Sequence, residues 1–281
     1  MSTSNIARWV TDRAATDPDL RAIKQGNIVM SYGDLNTASA RFASVLVEHG
    51  VRAGDRVAMT MPNVAYFPFV YDAILRLGAI VVPMNPLLKA GEISYTWTDS
   101  HALVAVVFPL FADEAAKAAE VTGTEVIVTV PGELEAQLAA TPSYAGLAER
   151  AADDTAVILY TSGTTGQPKG AELTHANLGS NVATTIETLL PMGPGDVVFG
   201  GLPLFHSFGQ TVGLNAAMAG GACLTLLPRF DGEQALSIVA ANKVTVLLGV
   251  PTMYMALLDG SSLCQVAGAS SCSVGIGGPG K

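Results

Sequence analysis

The sequence predicts an α/β protein: a layered fold with two mostly parallel sheets flanked by helices. Three observations carry that reading. Short β-branched runs alternate with longer helical stretches, the pattern by which βα units lay down parallel strands. The composition is 49% hydrophobic and only 14% charged, so a thin polar shell covers much apolar mass. The alternation lapses over residues 131–154, which are rich in Ala, Glu and Pro, and then restarts, which divides the chain into two lobes.

Taken in order, Ser31 reads as the N-cap of a helix with Asp34 in its first turn, running to His49 and stopped by Gly50. Residues 56–60 then read as a strand, 64–77 as a helix and 79–82 as a strand. A helix over 91–100, a strand over 103–108, a helix over 112–121 and a strand over 125–130 complete the first lobe. In the second, 156–160 is a strand, followed by a loop and a helix over about 174–190. Strands at 197–202, 222–227 and 244–248 alternate with helices at 207–219, 231–241 and 253–258. The expected division is a first α/β subdomain over 1–140, a second and incomplete one over 141–260, and an irregular tail over 261–281. That tail holds five serines, five glycines and two of the three cysteines, with no charge before Lys281.

Bulk properties exclude several functions. A net charge of −9, with fifteen basic residues of which no two are adjacent, argues against a nucleic-acid partner. Cys223, Cys264 and Cys272 lack metal-site or disulfide-framework spacing, so a reducing, cytoplasmic setting is expected and no metal ligands are assigned. Residues 1–20 contain Asp12, Asp17 and Asp19 and no apolar core of a secretory signal. Residues 197–228 carry no charge, yet Pro203, His206, Gln210, Asn215 and six glycines interrupt any apolar helix of about 20 residues. A buried segment is expected there, not a membrane span.

The chemistry concentrates in Tyr160-Thr161-Ser162-Gly163-Thr164-Thr165-Gly166-Gln167-Pro168-Lys169-Gly170, directly after the apolar run Ala156-Val157-Ile158-Leu159. Glycines let backbone N–H groups turn toward an anion, hydroxyls add donors without negative charge, and a lysine adds a mobile cation. A strand that empties into such a loop reads as a phosphate cradle. It is not a Walker A loop: Pro168 stands where the second glycine is needed, and Gly170 where a hydroxyl should follow the lysine.

From Ile158 to Lys169 the segment resembles the phosphate-loop signature of the adenylate-forming superfamily, which includes acyl-CoA synthetases. Three further stretches are similar to motifs of that superfamily: Gly78-Ala79-Ile80-Val81-Val82-Pro83-Met84-Asn85-Pro86, Leu202-Pro203-Leu204-Phe205-His206-Ser207-Phe208-Gly209 and Gly249-Val250-Pro251-Thr252-Met253-Tyr254. The second of these narrows the resemblance toward acid–CoA ligases, and together they span roughly residues 5–258. The resemblance implies ATP, Mg²⁺ and CoA as cofactors and a small carboxylic acid as substrate. It implies that Thr161, Ser162, Gly163, Thr164, Thr165, Gly166 and Lys169 contact the nucleotide phosphates, with Lys169 and His206 as catalytic residues and His206 near the acyl carboxylate. His175 is expected to be structural at the start of the helix after the loop; His49 and His101 end helices, where a cation suits the dipole.

The resemblance implies that the segment around His206 lines the acid pocket, where amino-acid-activating relatives place an aspartate; no carboxylate lies between Asp196 and Asp231 here, so a hydrophobic acid, fatty or aryl, is favoured over an amino acid. The small residues of 213–222 allow two readings, an apolar acid tunnel or tight helix–sheet packing. The family's later motifs and its mobile C-terminal lid are not found, and 261–281 matches poorly. The chain is accordingly expected to be an N-terminal portion with an out-of-frame or truncated tail, unable to complete the cycle. An exposed sheet edge then predicts self-association as a homodimer. The alternative function is a non-catalytic module that binds nucleotide or acid, or that serves as a dimerisation scaffold.

Overall fold

The computed structural model describes residues 4–161 and 167–259. The tail at 261–281 and the loop residues 162–166 lie outside them. Within the described residues the fold is the expected one, two sheets with helices packed on their faces. The first sheet has the order β6-β5-β3-β4-β7-β8. Its strands β3 (Arg56–Thr60), β4 (Ile80–Met84), β5 (Ala102–Val107), β6 (Glu125–Val128) and β7 (Thr155–Thr161) run parallel, and β8 (Lys169–Thr174) closes one edge antiparallel to β7. The second sheet has the order β11-β9-β10-β1-β2. Here β9 (Val197–Gly200), β10 (Cys223–Leu226), β11 (Val246–Leu247) and β1 (Arg21–Gln25) are parallel, and β2 (Ile28–Ser31) is an antiparallel edge.

Near-continuous apolar runs explain why the inner strands are covered on both faces. Val57, Ala58, Met59, Val81, Val82, Val104, Ala105 and Val106 are all fully buried. One face packs on α2 (Tyr32–Glu48) and α3 (Tyr66–Arg76), and this core continues into the second sheet through Ile23, Val198 and Leu224. The other face packs on α4 (Ala90–Ser100) and α5 (Ala112–Thr122) through Ile93, Trp97, Ala115 and Ala118. The Ser31 cap forms as expected: its hydroxyl accepts from Asp34 N–H at 3.1 Å, and the Asp34 carboxylate accepts from Ser31 N–H at 2.9 Å.

Sheet membership does not follow the expected division at 140/141. Strands β7 and β8 complete the first sheet, while β1 and β2, from the start of the chain, extend the second. Residues 21–31 form a hairpin over a Gly26-Asn27 turn, with Gly26 at φ +53°, and Ile23 registers with Leu224 some 200 residues away. Periodicity reports which residues bury a face, and says nothing of which strand lies alongside. Five strands and α-helices were not expected: α1 (Arg8–Thr16), β1, β2, α6 (Glu133–Ala140) and β8. The helix after the loop, expected to run to about 190, is α7 (His175–Thr184) followed by one π turn at Thr185–Leu189.

The uncharged stretch 197–228 is core, as expected. It comprises β9, a π-helical segment at Gly209–Asn215, α8 (Ala216–Gly220) and β10. Among the described residues no helix is long and apolar enough to cross a membrane. A buried pair ties the helices of this core together. Arg76 Nη2 lies 3.4 Å from Asp72 Oδ2, both side chains at most 5% exposed, and Ser39, Asn36 and Thr11 complete the arginine's contacts. Burial raises the Asp72 carboxyl above its usual range, and Arg76 opposes that shift.

Candidate functional site

The four motif stretches fall on two pairs of neighbouring strands. Strand β4, inside Gly78–Pro86, lies beside β7, which feeds the hydroxyl-rich loop. Strand β9, which feeds the His206 segment, lies beside β11, which feeds Gly249–Tyr254. Each loop leaves the carboxyl end of a parallel strand, where open α/β sheets bind their ligands. Residues just beyond β3 draw the two sheets' carboxyl edges together. Asn63, buried, donates to the carbonyls of Gly200 (3.1 Å) and Leu202 (2.7 Å) and accepts from Leu204 N–H (3.0 Å). Ala65 N–H donates to the Gln25 side-chain carbonyl at the end of β1, at 2.7 Å. Asn63 was not singled out from sequence, because nothing local marks an asparagine that serves a segment 140 residues away.

Strands β7 and β8 place two of the expected phosphate contacts opposite each other: Thr161 registers with Lys169 in the last pair of the ladder. Both are exposed, and Lys169 makes no ion pair with any described residue. Ser162, Gly163, Thr164, Thr165 and Gly166 lie outside the described residues. One pair back, Tyr160 stands across from Gly170. A Cβ on Gly170 would lie 2.9 Å from Ile158 Cγ2 and 3.2 Å from the Tyr160 ring, so a side chain there would displace one of them.

His206 lies on the other sheet's edge and is exposed. Its N–H donates to Pro203 O at 3.1 Å and its carbonyl accepts from Gln210 N–H at 2.9 Å, which folds the segment into a tight turn. Gly209 makes that turn feasible, since a Cβ there would sit 2.2 Å from Pro203 O. The π-helical turn that follows is a departure from α geometry often found at functional sites. No described hydrogen bond or ion pair links His206 to Thr161 or Lys169. Gln210, one turn on, is fully buried with neither amide atom partnered among the described residues, a feature sequence reasoning passed over.

His175 is structural, as expected. It opens α7 and is 2% exposed, and its Nδ1 accepts from Ile6 N–H at 3.3 Å. Burial, with Arg150 nearby, lowers its pKa to about 4, so the ring is neutral near pH 7. His49 caps α2 and holds Glu125 at 2.7 Å, and His101 caps α4 in the left-handed region. Among the small residues of 213–222, Gly220 lies against the Met192 carbonyl and Gly221 against Arg13, while a Cβ on Gly213 would meet nothing within 4 Å. Among the described residues no cluster of three or more His, Cys, Asp or Glu is placed to hold a metal.

The family model described as "AMP-binding enzyme" matches residues 10–278. The chain belongs to the AMP-binding enzyme family. The match includes most of the serine- and glycine-rich stretch beyond 260. Among relatives, a protein named feruloyl-CoA synthase from Amycolatopsis sp is 34% identical over 259 residues, covering 92% of this chain and 51% of the relative. Long-chain-fatty-acid–CoA ligase FadD13 of Mycobacterium tuberculosis is 32% identical, covering 89% and 50%. ATP-bound MatB from Rhodopseudomonas palustris superposes with TM-score 0.83 at 34% identity, covering 92% of this chain and 51% of that one. A benzoate CoA ligase from Burkholderia xenovorans LB400 superposes at 0.85 with 28% identity, covering 92% and 53%. The chain thus spans about half the length of the curated relatives it matches, and its fold is that of the N-terminal part of these adenylate-forming enzymes.

Proposed function

We propose that this chain supplies the nucleotide phosphate site and part of the acid site of an ATP-dependent acid–CoA ligase. The observation that carries the reading is the exposed Thr161–Lys169 pair. A hydroxyl donor and a cation without an ion-pair partner among the described residues meet at the mouth of the motif loop, at the carboxyl end of a parallel sheet.

The chemistry asks little of the protein beyond placement. A carboxylic acid has a pKa of about 4–5, so it is already ionised at neutral pH and attacks the α-phosphate of ATP without a general base. The attacking carboxylate and the triphosphate repel each other, and charge builds on the pyrophosphate as it leaves. Lys169 offsets that charge and Thr161 donates a hydrogen bond to a phosphate oxygen. Mg²⁺ would arrive with the nucleotide and add positive charge against the phosphates beside Lys169. His206, on the facing edge, would orient the acid's carboxylate. Capture of the acyl-adenylate by the thiol of CoA completes the reaction in enzymes of this type.

A fatty or aryl acid is the proposed substrate class. No carboxylate occurs between Asp196 and Asp231 to hold an ammonium, and relatives at 34% and 32% identity are named for feruloyl and long-chain fatty acyl products. Pyrophosphate exchange into ATP, run with a panel of fatty, aryl and amino acids, tests the proposal. Exchange that depends on a hydrophobic acid and is abolished by Lys169→Ala is the expected result. Ligand binding without any exchange would favour a binding module instead. Ile28 and Val29, half-exposed on edge strand β2, are the proposed seat of self-association, to be read by light scattering.

A further inference from the structure

Both stems of the phosphate loop are tied to one helix. Tyr160, the residue before Thr161, donates its hydroxyl to the Asp99 carboxylate at 2.6 Å. Tyr95 donates its hydroxyl to the carbonyl of Pro168, the residue before Lys169, at 2.9 Å. Tyr95 and Asp99 are four apart on α4, hence neighbours on one helical face. Each bond therefore ends one residue away from a proposed phosphate contact. The Tyr160 ring lies over its cross-strand partner Gly170, whose missing side chain leaves the space. Burial, and then the Asp99 carboxylate, push the Tyr160 phenol above its ordinary pKa, which keeps it a donor.

The helix is a firm reference for such a tie. On its inner side Trp97 is 1% exposed, and its indole N–H meets Met84 Sδ at 3.2 Å. Met84 ends β4, the strand beside β7. At the helix start the Ala90 N–H donates to the Glu114 carboxylate of α5 at 2.9 Å. In the hairpin, β7 is buried over 156–159, but Thr161 at its end is exposed and β8 is an edge strand whose first four residues are exposed. Small displacements of positioning groups are costly in reactions that rest on placement.

We propose that Tyr95, Asp99 and Tyr160 form a positioning clamp that holds Thr161 and Lys169 in register against the nucleotide's phosphates. The inference rests on the phosphate-site reading above and extends it to residues that touch neither substrate. Neither tyrosine is needed as a nucleophile or base; their hydroxyls act through the Thr161–Lys169 pair.

The test uses the whole 281-residue chain with Tyr95→Phe, Tyr160→Phe, their double variant, Asp99→Ala and Asp99→Asn. Amide hydrogen exchange over β7 and β8, measured without nucleotide, reads the clamp directly. Loss of one such bond should speed exchange at the Thr161 and Lys169 end about fivefold, with β3 to β5 and the urea midpoint unchanged. Binding of ATP with Mg²⁺ should weaken by a similar factor, while binding of a hydrophobic acid stays at the parent value. Asp99→Asn, which keeps a carbonyl acceptor, should restore most of what Asp99→Ala loses. Unchanged exchange at the hairpin end in the double variant overturns the clamp. So does faster exchange with unaltered ATP affinity, provided Lys169→Ala still weakens binding. A parent chain whose ATP binding is absent or indifferent to Lys169→Ala overturns the phosphate-site reading itself, and the exchange data then report separately whether the tie exists.

Discussion

The hairpin that carries Thr161 and Lys169 and the turn that carries His206 occupy corresponding places, each at the carboxyl end of a sheet, but they are held by different means. The His206 turn is fixed from within. Asn63 satisfies two carbonyls and an N–H beneath it, and Gly209 lies 2.2 Å, at its missing Cβ, from the Pro203 carbonyl. The open end of the hairpin is held from outside, by tyrosine hydroxyls that bridge it to α4, although β7 is buried further back. Buried polar anchors are expensive to remove because their partners are left without water, whereas exposed ones are replaced by solvent at little cost. The His206 side should therefore respond to mutation in stability, and the Thr161–Lys169 side in binding.

The largest expected effect breaks the first half of that contrast. Asn63→Ala removes the side-chain partner of the Leu202 carbonyl and of the Leu204 N–H in a dry site, leaves the Gly200 carbonyl with Leu227 N–H alone at 3.2 Å, and should cost about 3 kcal/mol in urea unfolding. A loss below about 0.5 kcal/mol would show that the two carboxyl edges are joined by other means.

A smaller effect sits at the exit of the hairpin, where His175 opens α7. Its pKa is about 4 in the folded chain against about 6.5 when unfolded. Above pH 6.5 the ring is neutral in both states and its contribution is fully present. As pH falls through this window only the unfolded chain takes the proton, so stability is lost progressively down to about pH 4. By pH 5 the loss from this group should reach up to about 2 kcal/mol, and His175→Asn, which keeps an acceptor for Ile6 N–H, should flatten the slope. Equal pH dependence in parent and variant would count against the buried, neutral ring.

The smallest effects sharpen the second half. Lys169→Ala and His206→Ala remove exposed side chains, and each should shift stability by less than about 0.5 kcal/mol. Lys169→Ala should nonetheless lower ATP affinity about tenfold, as expected when a charged partner of a phosphate is lost. Calorimetric titration beside denaturant unfolding separates the two quantities.

The fold class, most strands and helices, and the four motif stretches could be read directly from residues. Apolar runs of fixed period, the Ser31-to-Asp34 cap and the hydroxyl–glycine–lysine loop are local signals, set by burial, capping and anion binding within a few residues of chain. The edge strands were less legible. Lys169-Gly170-Ala171-Glu172-Leu173-Thr174 is exposed over its first four residues, so it lacks the alternation that betrays a half-buried strand, and it is a strand because β7 supplies a ladder.

What only the tertiary structure decided is adjacency. It paired Ile23 with Leu224 and so drew the first hairpin into the second sheet across the 140/141 division. It set Thr161 opposite Lys169, brought Asn63 under the His206 turn, and laid Tyr95 and Asp99 against the loop's two stems. The sequence by itself determined which residues want burial, caps or anions. Which partner meets each of them depends on the packing of strands far apart along the chain, because a sheet takes its neighbours by shape and shared core and leaves no mark of that choice in local pattern.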